Sequence, residues 1–217
     1  MFVRYGRSET ALEPLGDSRD GSIDVERRTL AVLGTIEDND AGTGEHARAV
    51  AHLSRLIGLE TGISAGEMGT LLVGALLHDV GKIFVPEDIL KKPGPLTRGE
   101  REIIELHPVA GSRILERSNV PPKAVLVVRH HHERYDGGGY PRGLRGKDIP
   151  LAARIVQVAD AFDAMTQDRI YRKGIPPAEA LKELARNAGT QFDPRVVQAF
   201  VAVCDEHPAV LEGRPSG

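Results

Sequence analysis

Apolar residues recur along this chain mainly at the three- and four-residue spacing that places them on one face of a helix. No stretch alternates apolar and polar residues as a half-buried strand does. Prolines stand where several of these patterns begin, and proline suits the first turn of a helix. The pattern predicts an all-α fold with helices at about residues 24–37, 45–59, 65–78, 98–107, 121–130, 150–164, 177–187 and 194–205.

Two of the predicted helix starts have the spacing of a capping box. In this arrangement a hydroxyl and a carboxylate three residues later satisfy each other's free backbone N–H groups. The two pairs are Ser64 with Glu67 and Thr97 with Glu100. Pro108 predicts a break or kink beside His107, because proline lacks the backbone N–H that a continuing helix needs.

Composition narrows the compartment and the classes of partner. The 217-residue chain has no Trp, five Phe and four Tyr, so its core is expected to consist of Leu, Ile, Val and Ala. Its 28 basic and 31 acidic side chains give a net charge of -3, which provides no general attraction to DNA or to an anionic membrane. Cys204 is the single cysteine, and the sequence contains neither a signal-peptide pattern nor a run of about 20 apolar residues. These features predict a cytoplasmic protein with no DNA or membrane partner.

The candidate chemistry begins with His78 and Asp79, which follow a strongly apolar helix pattern. Burying an unpaired carboxylate there would be costly, and a metal ion would supply the missing partner. Imidazole and carboxylate donors without a thiolate suit iron, manganese, zinc or nickel. The adjacent His131 and His132 would point about 100° apart on a regular helix. Either two neighbouring metals or a helix end would use both.

Lys82 lies three residues after Asp79 and shares a helix face with it if the helix continues through Gly81. A helix end at Gly81 is the alternative. In both arrangements a lysine beside a metal pair can bind a phosphate oxygen, and the competing interpretation is a solvated surface lysine.

Six sequence blocks carry a specific resemblance. They are TGEHARAV (43–50), LLHDVGKIFVPEDILKKPGPLT (76–97), ELHPVAG (105–111), HHERYDGGGYPRGLRG (131–146), ARIVQVADAFDAMTQDRIYR (153–172) and GTQFDP (189–194). In this order they resemble the HD-GYP cyclic dinucleotide phosphodiesterases of the HD metallohydrolase superfamily. A bare His-Asp pair recurs by chance, whereas six ordered blocks are highly specific. The resemblance covers about residues 40–204.

The resemblance implies a single compact helical HD-type domain with a short N-terminal lead-in and a two-metal centre. One metal would be held by His46, His78, Asp79 and Asp160. The other would be held by Asp79, His107, His131 and His132, so that Asp79 bridges the two. Some members bind a third metal through a glutamate four residues before the first histidine, where this chain has Gly42. Two metals are therefore predicted, with iron or manganese as the expected ions.

The resemblance also implies contacts to phosphate or guanine at four positions, Lys82, Asp163, Arg169 and Arg172. The two arginines stand three residues apart and could meet a phosphate with paired donors, although exposed surface charges are the alternative. Tyr140 belongs to the glycine-rich loop at 135–146 and is counted among the predicted substrate-binding residues. The same loop is a candidate contact for a signalling protein, and a homodimer through the 24–37 helix is left open.

The preferred functional hypothesis is hydrolysis of cyclic di-GMP to linear pGpG, with further cleavage to GMP left open. A hydroxide shared by the two metals would attack phosphorus in line, and Asp79 and Lys82 are the predicted catalytic residues. Three alternatives are a related cyclic dinucleotide as substrate, a mononucleotide phosphohydrolase of the same superfamily, and a noncatalytic module that binds a cyclic dinucleotide and recruits partners.

The predicted organisation has four parts. They are a flexible or weakly ordered lead-in at 1–23, a connecting helix at 24–40, the HD-GYP catalytic domain at 41–205 and a C-terminal tail at 206–217.

Overall fold

Helices dominate the computed structural model, which describes residues 41–168 and 173–211. The nine α-helices of these ranges, α1 to α9, are Ala41–Glu60, Ala65–Leu77, Glu87–Leu90, Arg98–Ile104, His107–Glu116, Pro122–His130, Leu151–Thr166, Pro177–Arg186 and Pro194–Glu206. Three 3₁₀ turns accompany them, at Val80–Phe84, Gly146–Asp148 and Pro208–Val210. Within these ranges an isolated bridge between Ala188 and Phe192 stands in place of any strand. The all-α prediction is confirmed, while the predicted helix at 24–37 lies outside the described residues.

The two predicted capping boxes have different outcomes. The Thr97 hydroxyl accepts the Glu100 N–H at 3.3 Å, and the Glu100 carboxylate accepts the Thr97 N–H at 2.7 Å, so the box at the start of α4 is confirmed. The prediction of a box at Ser64 is wrong. The Ser64 hydroxyl donates to the Glu67 carboxylate at 2.6 Å and makes no side-chain cap to a backbone N–H. Because the Ser64 hydroxyl is used in this bond, it does not cap the helix.

Two interruptions expected from the sequence occur at the histidines. Helix α2 ends at Leu77 with His78 as its C-cap residue, and Lys82 lies in the 3₁₀ turn that follows. The turn packs closely on α5, since a Cβ on Gly81 would collide with the carbonyl oxygen of His107. Helix α4 ends at Ile104 and α5 starts at His107, which confirms the break predicted beside Pro108.

The core lies mainly between α1, α2, α7, α8 and α9. Its fully buried members include Ile57, Leu71, Ile155, Leu184 and Phe200. Aliphatic residues dominate as expected, but three of the five phenylalanines are also buried: Phe162, Phe192 and Phe200. A second cluster, with Leu77, Leu115 and Val128, packs α2, α5 and α6 together. The C-terminal ends of α2 and α6 are thereby brought beside the start of α5.

In the described part of the chain, no helix combines the length and the apolar character needed to cross a membrane.

Candidate metal centre

Asp79 lies at the middle of the histidine cluster and directs its two carboxylate oxygens to different groups of residues. Its Oδ1 is 3.3 Å from His107 Nε2 and 3.9 Å from His131 Nε2. Its Oδ2 is 3.3 Å from His78 Nε2 and 3.9 Å from His46 Nε2. One carboxylate oxygen therefore faces each pair of imidazoles, which is the geometry that a bridging carboxylate requires.

Two groups of side-chain donor atoms are each close enough together to hold an ion. Within each group the donor atoms lie within 4.8 Å of one another. The groups are Asp79, His107, His131 and His132, and His46, His78 and Asp79. Asp160 adjoins the second group, with its Oδ1 3.2 Å from His46 Nε2 and 3.9 Å from His78 Nε2. All seven predicted ligands are thus brought together.

Three of the histidines share one orienting device at helix ends. The Nδ1 atoms of His78, His107 and His131 lie 2.7 to 2.8 Å from the carbonyl oxygen three residues earlier, those of Ala75, Ile104 and Val128. Carbonyls in the last turn of a helix lack an intrahelical partner, so they are free to accept. Since a carbonyl only accepts, each Nδ1 carries the hydrogen, and a neutral ring then presents an Nε2 lone pair to the centre.

The unsatisfied atoms of the cluster fit a bound cation. His107 Nε2 and His131 Nε2 are 3.3 Å apart, and with both Nδ1 atoms protonated these are two lone pairs directed at each other. Among the described residues, the buried atoms without a hydrogen-bond partner include His78 Nε2 and Asp79 Oδ1. Orphaned buried acceptors are costly. The two atoms lie on different sides of Asp79, so a divalent ion in each donor group would satisfy one of them. The residues present therefore suit divalent metal ions.

The electrostatics of the centre agree with this interpretation. Burial lowers the pKa of His132 to about 4, and burial together with the neighbouring histidines holds the pKa of His131 well below its usual value. Burial would raise the pKa of Asp79, but Lys82 and His78 outweigh it and keep that pKa low. For His46, burial acts to lower the pKa, yet contacts to Asp160 and Asp163 prevail and raise it to about 9. The carboxylates thus attract positive charge into the site.

The glycine-rich loop folds back on the end of α6. The Tyr140 N–H donates to the His132 carbonyl at 3.2 Å, and a Cβ on Gly139 would collide with the backbone between His132 and Arg134. The loop therefore needs glycine at position 139. This close approach lays the Tyr140 ring on His132, with ring centroids 4.9 Å apart. The described geometry thus gives Tyr140 a contact to a predicted ligand, while its predicted contact with substrate remains a prediction.

Glu133 is a structural anchor that the sequence did not reveal. Its fully buried carboxylate accepts the N–H groups of Arg142 at 2.8 Å and Leu144 at 3.0 Å, and lies 3.4 Å from His130 Nδ1. His130 thus contacts Glu133 and lies outside both donor groups. A glutamate following two candidate ligands and preceding a glycine-rich loop was the available signal, but nothing in sequence spacing says that it holds the loop.

The GTQFDP block also supports the loop. The N–H of Tyr135 donates to the Gln191 carbonyl at 3.0 Å, and that of Asp136 donates to the Thr190 carbonyl at 2.8 Å. Asp193 caps α9 by accepting the Arg195 N–H at 2.8 Å, and it also pairs with the buried Arg154. This block therefore supports the backbone of the glycine-rich loop, a role that its sequence alone did not indicate.

The predicted substrate contacts have mixed positions. Lys82 Nζ is 2.5 Å from Asp79 Oδ2 and its side chain is 38% exposed, so it borders the centre and reaches solvent. Asp163 is buried and bonded to His46 Nδ1 at 2.6 Å. Arg169 and Arg172 lie outside the described residues, and their roles stay predictions. Position 42, where a third-metal glutamate would stand, is a glycine in the first turn of α1.

A helical domain with a histidine and aspartate centre of this kind defines the HD class. A family model described as "HD domain" matches residues 32–196, which is well over half of the chain, and the chain belongs to that family. Within the family, the resemblance to HD-GYP proteins is confirmed by its relatives.

Three curated relatives illustrate the match. The chain is 44% identical to a cyclic di-GMP phosphodiesterase of Thermotoga maritima, over 79% of this chain and 48% of the relative. It is 42% identical to the cyclic di-GMP phosphodiesterase response regulator RpfG of Xanthomonas campestris pv. campestris, over 81% and 47%. It is also 34% identical to 3'3'-cGAMP-specific phosphodiesterase 2 of Vibrio cholerae, over 83% and 35%. The chain spans about half the length, or less, of these relatives.

Solved structures agree on the fold. Bd1817, an HDG"Y"P protein from Bdellovibrio bacteriovorus, superposes with a TM-score of 0.63 at 25% identity, covering 75% of this chain and 52% of that one. A cyclic GMP-AMP specific phosphodiesterase of V. cholerae gives a TM-score of 0.65 at 21% identity, covering 87% and 50%.

Proposed function

We propose that this chain is a metal-dependent phosphodiesterase that hydrolyses cyclic di-GMP at a centre of two divalent ions, iron or manganese. The observation that carries the proposal is the division of Asp79 between two imidazole pairs, with Oδ1 toward His107 and Oδ2 toward His78. A single ion would use one side of this arrangement. Two ions sharing one carboxylate would use both.

The remaining ligands divide between the two ions. His46, His78 and Asp160 would complete one coordination sphere with Asp79, and His107, His131 and His132 would complete the other. When bound, two neighbouring ions lower the pKa of a water molecule and offset charge on phosphoryl oxygens. The helix-end carbonyls keep the Nε2 atoms directed inward, so the donors are positioned before an ion arrives.

Among the predicted substrate contacts that the structure describes, Lys82 is the one best placed to meet the substrate. Its ammonium borders the centre beside Asp79 and is partly exposed, so a phosphate oxygen entering from solvent would reach it. Charge stabilisation and positioning dominate phosphoryl transfer, and a lysine supplies both. In this proposal Arg169 and Arg172 contribute paired donors to phosphate or guanine, as the resemblance implies.

A related cyclic dinucleotide is the second candidate substrate. One relative at 34% identity is specific for 3'3'-cGAMP, whereas the two relatives above 40% are cyclic di-GMP phosphodiesterases. The greater identity favours cyclic di-GMP. Hydrolysis to pGpG, with GMP as a later product, is the expected course.

The test is product analysis with protein loaded anaerobically with Fe²⁺ or Mn²⁺ and supplied with cyclic di-GMP, 3'3'-cGAMP or a deoxynucleoside triphosphate. Cyclic di-GMP should be cleaved fastest. An Asp79→Ala variant should be inactive, and a variant of the exposed His207, His207→Gln, should match the wild type.

Three outcomes would contradict the proposal. Faster cleavage of the triphosphate would favour a mononucleotide phosphohydrolase. Tight binding of cyclic di-GMP without product, in fully metallated protein, would favour a noncatalytic binding module. Activity in the wild type no greater than in Asp79→Ala, with either metal, would exclude catalysis at this centre.

A further inference from the structure

His46 differs from the helix-end histidines in its place in the fold. His78, His107 and His131 each use a carbonyl at a helix end to fix Nδ1. His46 lies inside α1, five residues after the helix begins at Ala41. Carbonyls inside a helix already accept from N–H groups one turn later, so a ring in that position needs an acceptor from another element.

Asp163 on α7 supplies that acceptor. Its Oδ2 lies 2.6 Å from His46 Nδ1, and its Oδ1 lies 3.4 Å from the Gln167 amide nitrogen. The Asp163 side chain is about 5% exposed, so the carboxylate is held almost out of water by these two contacts. A buried carboxylate in contact with imidazole is the arrangement that fixes ring orientation and tautomer in metal-binding histidines.

The helix α7 contacts both nitrogens of the same ring. Asp160, three residues before Asp163, lies with Oδ1 3.2 Å from His46 Nε2. Residues three apart share one face of a helix, so the same face presents a carboxylate to Nε2 and another to Nδ1. Asp160 is on the side of the predicted metal, and Asp163 is on the opposite side of the ring.

We propose that Asp163 is a positioning residue that keeps the hydrogen of His46 on Nδ1 and directs the Nε2 lone pair to the metal shared with Asp160. This assignment differs from the substrate contact that the HD-GYP resemblance implies for Asp163. It rests on the metal-binding part of the proposed function and does not require that any dinucleotide be hydrolysed. Failure of catalysis and failure of this inference are therefore separable.

The direct test uses wild-type protein loaded with Zn²⁺, which is diamagnetic. Ring-nitrogen NMR spectra of isotope-labelled protein report the tautomer of each histidine. His46 should show a protonated Nδ1 and a metal-bound Nε2. A His46 ring bound to Zn²⁺ through Nδ1, or one with its hydrogen on Nε2, would overturn the proposal without any variant.

Variants provide the quantitative test through Mn²⁺ and Zn²⁺ titrations. Asp163→Ala should lower the affinity for the ion on the His46 side by about 10- to 100-fold, which is the range found when a partner of a metal-binding histidine is removed. Asp163→Asn keeps an acceptor oxygen and should restore part of that affinity. The ion on the His107 side should keep its wild-type affinity in both variants.

Phe162→Leu is the matched control for packing. Phe162 is the buried neighbour of Asp163 and contacts the Phe200 ring with centroids 4.8 Å apart, within the core. The Phe162→Leu variant should lower thermal stability without lowering the affinity for either ion. Wild-type metal affinity in Asp163→Ala, with a raised KM for the dinucleotide, would instead establish a substrate contact.

Discussion

Tyr140 lies nearly parallel to His132, with ring centroids 4.9 Å apart and planes inclined by 28°. The contact covers one face of a predicted ligand and restricts rotation of its imidazole. Burial, with the Glu105 and Asp79 carboxylates, raises the pKa of Tyr140 above its ordinary value, which itself lies above neutral pH. Replacing Tyr140 with Phe or with Leu tests the hydroxyl and the aromatic ring as separate contributions.

Replacing Tyr140 should affect metal binding through its ring. Tyr140→Phe preserves the stacked ring and should retain wild-type affinity for Mn²⁺. Tyr140→Leu removes the stacked ring. It should lower the affinity for the ion of the group that contains His107 and His132 by about 10-fold, because His132 loses its orienting contact. Metal titrations and KM measurements distinguish the outcomes: a raised KM in Tyr140→Phe at full metal occupancy would assign the hydroxyl to the substrate.

Glu133 should determine the order of the loop that carries Tyr140. Removing its carboxylate in Glu133→Ala leaves the N–H groups of Arg142 and Leu144 without their acceptor, at a cost of about 1–3 kcal/mol for each group that stays buried. Amide hydrogen exchange should accelerate at both positions, and chemical denaturation should show the loss of stability. Glu102→Gln, which alters a largely exposed pair with Arg98, is the control. Unchanged exchange at Arg142 and Leu144 would contradict the anchoring role.

Much of the helical fold was predictable because the sequence marks its helix ends. Pro122, Pro177 and Pro194 begin the helices expected from them, and Pro108 accompanies the expected break. The 3₁₀ turn at Val80–Phe84 was not predicted as such. Its path depends on the contact between Gly81 and the backbone of α5, and contacts between distant segments leave no periodic pattern in the sequence.

The sequence predicted the candidate metal ligands better than it predicted the contacts that hold those ligands in place. The ordered blocks identified seven candidate ligands, and the structure brings all seven together. The supporting contacts from Asp163 to His46 and from Glu133 to the loop join segments up to 117 residues apart. Chemistry at one position does not reveal such partners, because they are selected by packing of the helices.

The two candidate caps offer a matched test of local stability. Thr97→Ala removes a hydroxyl that accepts a backbone N–H, and the expected loss is about 1 kcal/mol. Ser64→Ala removes a hydroxyl that bonds only the Glu67 side chain, so its effect on unfolding free energy should be clearly smaller. Urea denaturation of both variants makes the comparison. Equal losses would mean that Ser64 caps α2 in solution.

Metal ions should raise the unfolding temperature of the wild type through both groups of donors. A ligand at 100 times its Kd stabilises the folded state by about 2.7 kcal/mol at each independent site. Because Asp79 directs one oxygen to each group, Asp79→Ala should lower the affinity for both ions. His107→Ala should lower mainly the affinity for the ion on its own side. Mn²⁺ titrations followed by thermal unfolding test this difference. If Asp79→Ala lost one class of site and kept the other at wild-type affinity, the carboxylate would serve a single ion, and the bridge would have to be abandoned.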